Sequence, residues 1–166
     1  MIEIRKFTQS DAATVFAYSG SFENTYYMLA SPNRDIGETE DYITRCIKEY
    51  NETDPRYLAF AVTDDGDHVG EVFATFEECG VIIGWIIRTD RQGRGIATEA
   101  ASQLIRYLRD ERGVKKIISF CDSRNTASRR VMEKLGLVFI GESGERHYKK
   151  DVSDGVELQF ELKYDK

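Results

Sequence analysis

Gly93 and Gly95 lie in the run Arg91-Gln92-Gly93-Arg94-Gly95-Ile96-Ala97, which combines flexible backbone with positive charge. Glycine has no Cβ, so the main chain can bend tightly there and a ligand can come close to it. Upstream is an apolar run, Val81-Ile82-Ile83-Gly84-Trp85-Ile86-Ile87, which reads as a well-buried strand. Downstream, Ala97, Ala100, Ala101, Leu104, Ile105 and Leu108 recur at helical spacing, with Gly113 as a stop. The run is therefore a strand–turn–helix joint. The first N–H groups of such a helix have no intrahelical partner and stand at the positive end of its dipole. The chemistry this favours is anion binding, phosphate or pyrophosphate first among the candidates. A plain turn built from the same glycines is the alternative.

Three phosphate-binding patterns can be set against this joint. A P-loop needs Gly-x-x-x-x-Gly-Lys-Ser/Thr, and the chain has no such run. A dinucleotide fingerprint needs Gly-x-Gly-x-x-Gly/Ala, and Thr98 stands at its third position. The third pattern, Gln/Arg-x-x-Gly-x-Gly/Ala, is met by Gln92, Gly95 and Ala97. It resembles the acyl-CoA pyrophosphate loop of the GNAT superfamily of N-acetyltransferases. A second block, Asn125-x-x-Ser128-x-x-Val131-Met132-x-Lys134-Leu135-Gly136-Leu137, resembles the Asn-x-x-Ser…Lys-x-Gly-Phe block of that superfamily. Together with Thr98-Glu99-Ala100, the likeness is to the RimJ/RimL type, which acetylates ribosomal-protein N-termini and has relatives acting on small amines. Two blocks in order are far more specific than either alone.

The resemblance implies an α/β fold of mixed α+β character: one domain over residues 1–166, a mixed, mostly antiparallel sheet flanked by helices, and splayed central strands. It implies acetyl-CoA as co-substrate, a primary amine as acceptor, and direct attack in a ternary complex. The pantetheine arm would pair with the backbone of Ile86, Ile87 and Arg88. Gln92, Gly93, Arg94, Gly95, Ile96, Ala97 and Thr98 would hold the pyrophosphate. Asn125 would anchor the pantetheine, and Lys134 would reach phosphate. Two usual acid–base side chains are absent, because Ile82 and Met132 occupy their positions. The expectation is then Ser128 toward the sulfur and His147 or Glu145 toward the amine, residues 145 and 147 facing one side of a strand. Each has a bland rival: a helix-start hydroxyl for Ser128, a surface histidine for His147. Because those two side chains are missing, a non-catalytic acyl-CoA-binding or regulatory module is the alternative function.

The elements that must position these residues can be read along the chain. Ile2 and Ile4 alternate as a strand, and Ser10 is a candidate cap for a helix from Asp11 to Tyr18. Residues 20–37 are irregular and hold Tyr26, Tyr27 and Met28. Tyr42, Ile43, Cys46, Ile47 and Tyr50 mark a second helix. Tyr57–Thr63 and His68–Phe76 read as a hairpin turning through Asp64-Asp65-Gly66-Asp67. Ile117–Cys121 is a strand and Thr126–Leu135 a helix. Three strands are expected after Gly136: 137–141, 145–150 and the alternating run from Val156 to Tyr164. Trp85 reads as core, and Arg129 and Arg130 as exposed helix charge.

A chain of 166 residues suits one core, and a net charge of −6 argues against a nucleic-acid partner. No run approaches membrane-spanning length, and the N-terminus has no apolar signal core. Three scattered cysteines suit reduced thiols in the cytoplasm, and neither they nor the two histidines make a metal-ligand cluster. Homodimerisation is an expectation from the resemblance alone.

Overall fold

The structure, a computed structural model, describes residues 1–165. Its centre is a seven-stranded sheet in the order β1-β2-β3-β4-β5-β7-β6. The strands are β1 (Ile2–Arg5), β2 (Tyr57–Asp64), β3 (Asp67–Glu77), β4 (Gly80–Ile87), β5 (Lys116–Asp122), β6 (Val138–Arg146) and β7 (Gly155–Lys163). Neighbours are antiparallel except β4 and β5, which run parallel. A parallel pair needs a crossover, and α3 (Ile96–Asp110) supplies it. The other helices are α1 (Ala12–Ser19), α2 (Ile36–Glu49) and α4 (Thr126–Lys134).

Alternation along the strands divides the core in two. From β2, Leu58, Phe60 and Val62 join Leu104, Leu108 and Met132 on the α3/α4 face. Ala59 and Ala61 point the other way, with Val15, Tyr18, Ile43 and Cys46 on the α1/α2 face. The mixed α/β class and the splayed centre agree with the sequence reading. Two details differ. Entry to α1 is fixed by Thr8 and Asp11, not Ser10: the Thr8 N–H donates to the Asp11 carboxylate at 2.8 Å. The segment after Gly136 holds two strands where three were expected. Residues 138–146 are one strand, and Ile140 and Ser143 have no partner in its register with β7. Gly141 (φ 149°) and Gly144 (φ 131°) follow these bulges.

The α1/α2 face carries a polar knot. Glu71 of β3 is buried and accepts hydrogen bonds from Tyr18 Oη and Tyr42 Oη, each at 2.8 Å. Tyr42 also meets Tyr57 Oη at 2.8 Å. Nearby, His68 Nδ1 lies 3.4 Å from Asp11, which Arg5 grips at 2.8 Å. Burial pushes the Glu71 carboxyl up to about 6, against the pull of its two phenols. For Asp11, burial acts upward but the bonds from Arg5 and Thr8 prevail, holding it at about 2.

These shifts have opposite consequences for stability. Asp11 contributes stability above its ordinary carboxylate range and loses it as pH falls toward 2. The Glu71 contribution is fully present below its ordinary value of 4.5 and is lost as pH rises through about 6. That loss is worth about 2 kcal/mol. Thermal unfolding of Glu71→Gln should therefore show a smaller drop, or a larger rise, in Tm between pH 4.5 and 7.5 than the parent. The expected difference is roughly 4–8 °C for a chain of this size. Parallel Tm profiles for the two proteins would show that the carboxyl does not titrate in the fold.

Candidate active site

β4 and β5 pair only at Val81–Ile117 and Ile82–Ile118, then diverge. At the fork, the buried Ser119 donates its hydroxyl to the Ile83 carbonyl at 2.9 Å. Beyond it opens a cleft of about 1010 Å³. The free edge of β4 follows from its ladder with β3. Arg88 N–H bonds the Val69 carbonyl at 2.8 Å, and the register pairs Glu71 with Ile86. Backbone groups alternate sides along a strand, so Ile86 and Arg88 face β3, while Trp85 and Ile87 face the cleft. This corrects the expectation of pantetheine contacts at Ile86, Ile87 and Arg88. Of the three, only Ile87 turns its backbone to the cleft, and Trp85 does so too. The Ile87 carbonyl is itself occupied, accepting from Asn24 Nδ2 at 2.7 Å and Gln92 Nε2 at 2.9 Å.

The glycine turn leads into α3 as expected. Gly93 and Gly95 have φ of 74° and 76°, values that cost an L-residue strain. A Cβ on either would meet nothing within 4 Å, so the space above them is open. The first bond of the α3 ladder joins Glu99 N–H to the Gly95 carbonyl at 3.1 Å. The N–H groups of Ile96, Ala97 and Thr98 precede it and stand at the positive helix end. Gln92, Gly93, Gly95, Ile96, Ala97 and Thr98 all line the cleft; the exposed Arg94 and the half-buried Arg88 do not.

From the other wall, α4 presents Asn125, Ser128, Arg130, Met132 and Lys134. Asn125 caps the helix: its Oδ1 accepts from Ser128 N–H at 3.3 Å and its Nδ2 donates to Ser128 Oγ at 3.1 Å. The Ser128 oxygen is thus an acceptor in that contact, and its own proton is left to point elsewhere. Arg130 and Lys134 are one helical turn apart and have no ion-pair partner among the described residues. Arg130 thus belongs to the cleft, although the sequence reads it as plain surface charge. Arg129 does stay on the surface, paired with Glu133 at 3.2 Å.

The far end of the cleft is walled by Asn24, Tyr26, Tyr27, Met28, Phe73, Trp85, Arg124, Arg146 and Glu157. Trp85 is half-buried and lines the cleft as well as packing on the core. His147 and Glu145 are not brought there, contrary to the expectation from strand alternation. Their side chains are 68% and 75% exposed, and His147 bonds Asp154 at 2.9 Å, which raises its pKa. The β6–β7 register and the end of β6 are the reason. The register places Glu145 opposite Val156, and the strand stops at Arg146, before His147. Arg146 is buried and ion-paired with Glu157 at 2.9 Å. Glu157 also accepts from Ser143 Oγ at 2.9 Å. Beside them, bonds from Arg124 hold the buried Asp122 carboxyl far below its usual range. Glu157 and Arg146 went unread because only the β6–β7 register reveals them.

This joint, a forked parallel pair beside a helix start with free N–H groups, has counterparts among known proteins. Residues 2–138 match the acetyltransferase (GNAT) domain family. The chain belongs to that family. It is 34% identical over 82 residues to an uncharacterized N-acetyltransferase, YnaD, of Bacillus subtilis (strain 168). That match takes in 49% of this chain and 45% of YnaD, so it spans under half of the relative's length. Among GNAT structures, the ribosomal-protein-S5-alanine acetyltransferase of Vibrio fischeri superposes with a TM-score of 0.80 at 20% identity. It covers 99% of this chain and 93% of its own. A spermidine N-acetyltransferase of Vibrio cholerae, in complex with CoA and spermine, gives 0.83 at 17% identity, covering 98% and 95%. At such identities the likeness shows the fold alone. Among the described residues no helix is long and apolar enough to cross a membrane.

Gly95→Glu should put bulk and negative charge at the mouth of the α3 dipole. Gly66→Glu, in the β2–β3 turn at φ 86°, is the matched control for strain. Both variants should lose about 1–2 kcal/mol of stability. Only Gly95→Glu should lose CoA binding by titration calorimetry, and equal affinity in the two would rule out this turn as the binding site.

Proposed function

We propose that this GNAT protein transfers acetyl from acetyl-CoA to a primary amine, by direct attack with both substrates in the cleft. The observation that carries the reading is the junction of two features. The free edge of β4 at Trp85 and Ile87 lies beside the N-terminus of α3, so one extended thioester can reach both. The pyrophosphate sits on the N–H groups of residues 93–98, and the remaining phosphate meets Arg130 and Lys134. The pantetheine pairs with Trp85 and Ile87 as an added strand.

The amine approaches from the end walled by Tyr26, Tyr27 and Phe73. Its attack on the thioester carbonyl puts negative charge on oxygen, and an N–H on the free edge of β4 stabilises that charge. Ser128 turns its hydroxyl proton to the departing sulfur, its oxygen being held by Asn125. Two carboxylates line the cleft, Glu23 and Glu157. Glu157, anchored on β7 by Arg146 and Ser143, takes the place expected for Glu145 or His147: it holds the ammonium form and receives its proton, directly or through water. Both a protein N-terminus and a small amine fit this chemistry. We place the protein, as one domain, in the cytoplasm.

The alternative is a binding module without turnover, favoured by the apolar Ile82 and Met132 where acid–base groups are usual. Thiol release separates the two. With acetyl-CoA and a panel of N-terminal peptides, polyamines and amino-sugars, at least one amine should release CoA thiol above the hydrolysis background. CoA binding with no release on any member would favour the module. CoA at a hundredfold excess over its Kd should stabilise the fold by about 2.7 kcal/mol, read as a rise in Tm. A larger shift with NAD would contradict the acyl-CoA reading.

Residue roles separate as well. Glu157→Gln should lower kcat/KM by roughly a hundredfold or more, the range of a lost general base. His147→Ala and Glu145→Gln, on exposed positions, should stay within about twofold of the parent. A large loss in His147→Ala would return the base to the sequence-read position.

A further inference from the structure

Between α1 and α2 the chain has no helix or strand, yet residues 23–30 make much of the wall at the acceptor end of the cleft. Few of its backbone groups bond within the segment; Thr25 N–H to the Ser21 carbonyl and Met28 N–H to the Thr25 carbonyl are two that do. The wall is held from outside. At one end the Asn24 side chain takes the Ile87 carbonyl and the Thr89 N–H. At the other, the segment just after β6 carries the fastening. Arg146 donates to the Tyr27 carbonyl at 2.8 Å, Lys149 N–H meets the Leu29 carbonyl at 3.3 Å, and Ser31 Oγ returns a bond to the Lys149 carbonyl at 2.8 Å.

The densest contact is a single atom. Lys150 Nζ donates to the carbonyls of Thr25, Met28 (2.5 Å) and Ala30 (3.0 Å). An ammonium has three N–H donors, and here each finds one carbonyl. No carboxylate pairs with it among the described residues. A lysine placed this way gives up rotamer freedom and hydration, so the three dipoles are what hold it. Its effect is to gather into one curve the carbonyls on either side of Tyr26 and Tyr27, the two rings that face the cleft.

We propose that Lys150 is a positioning residue for the acceptor, strapping the 20–34 segment over the amine end of the cleft while taking no part in acetyl-CoA binding. This rests on the acetyl-transfer reading for its consequence, but the strap itself can be measured without any acceptor.

The test compares the parent, Lys150→Met and Lys150→Arg by hydrogen–deuterium exchange, with CoA affinity followed through the fluorescence of Trp85, the chain's only tryptophan. In Lys150→Met, amides of residues 20–34 should exchange roughly tenfold faster or more, with the strands unchanged. CoA affinity should stay within about twofold, because the α3 turn and α4 lie outside the strap. Lys150→Arg should restore much of the protection. With spermidine and an alanine-initiated peptide as acceptor probes, whichever is acetylated should show a KM raised about tenfold for the amine and unchanged for acetyl-CoA. Unchanged exchange at 20–34 would overturn the proposal, as would loss of protection spread over the whole chain. A KM for acetyl-CoA that rises with that of the amine would overturn it too. If neither probe is acetylated by the parent while exchange responds as described, the strap stands and the acceptor class is what fails. Should Lys150→Met not fold, Ser31→Ala removes a neighbouring tie and should give the same localised exchange in weaker form.

Discussion

Everything at the site depends on the point where β4 leaves β5. A parting of two central strands strands main-chain donors and acceptors, which cost free energy unless water or a partner meets them. Here the fork is held open from outside. β3 pairs with β4 along its full length, from Glu77–Gly80 to Gly70–Ile87. β7 pairs with β5 along all of Lys116–Asp122. Neither strand can swing to close the gap without breaking a complete ladder. The Ser119 hydroxyl satisfies the first carbonyl past the fork, that of Ile83, so the wedge begins at a defined residue. With the Ile83 and Ile87 carbonyls taken by side chains, the edge leaves the backbone of Trp85 and the Ile87 N–H as groups whose solvent an extended amide chain can replace.

The two sides of the cleft are made of different material, with consequences for what each can recognise. Toward α3 the donors are main-chain N–H groups, aimed by two glycines at positive φ and reinforced by the helix dipole. Any sequence that keeps that backbone path offers them. Toward the proposed acceptor end much of the wall consists of side chains from residues 23–30 and 146–157, with Phe73, Trp85 and Arg124 beside them. Its charges are largely spoken for: Arg124 by Asp122, Arg146 by Glu157. An acceptor therefore meets an aromatic wall with a paired carboxylate, not a free cation.

How much of this was legible follows from how local each signal is. The glycine turn, the α3 stripe and the start of α4 at Thr126 are set by residues within a few positions of each other, and they stand where the sequence puts them. The hairpin through Asp65-Gly66 is equally local. What failed depended on partners far away in the chain. Which of Trp85, Ile86, Ile87 and Arg88 faces the cleft is decided by the β3 register, some seventeen residues upstream, as in the Gly70–Ile87 pair. The Gly141-to-Gly144 stretch carries turn residues, and two bulges let it run on as strand instead. A period-two argument from Glu145 to His147 fails because the strand ends at Arg146, which leaves His147 outside the alternation.

The same insertions give the strand its use. An unbulged strand would pair with β7 residue for residue and carry one face straight to its end. With two extra residues taken up, β6 stops at Arg146, whose guanidinium reaches Glu157, Tyr148 and the Tyr27 carbonyl together. The chain then turns at once into the segment that carries Lys149 and Lys150 against the α1–α2 wall. A buried arginine and a lysine among carbonyls would each be costly alone. They are tolerable because the wall and β7 supply both with acceptors: the carbonyls of Thr25, Tyr27, Met28 and Ala30, and the Glu157 carboxylate. The acceptor end is thereby built by contacts between three segments distant in sequence, which is why a reading along the chain reaches the acetyl donor before it reaches the acceptor.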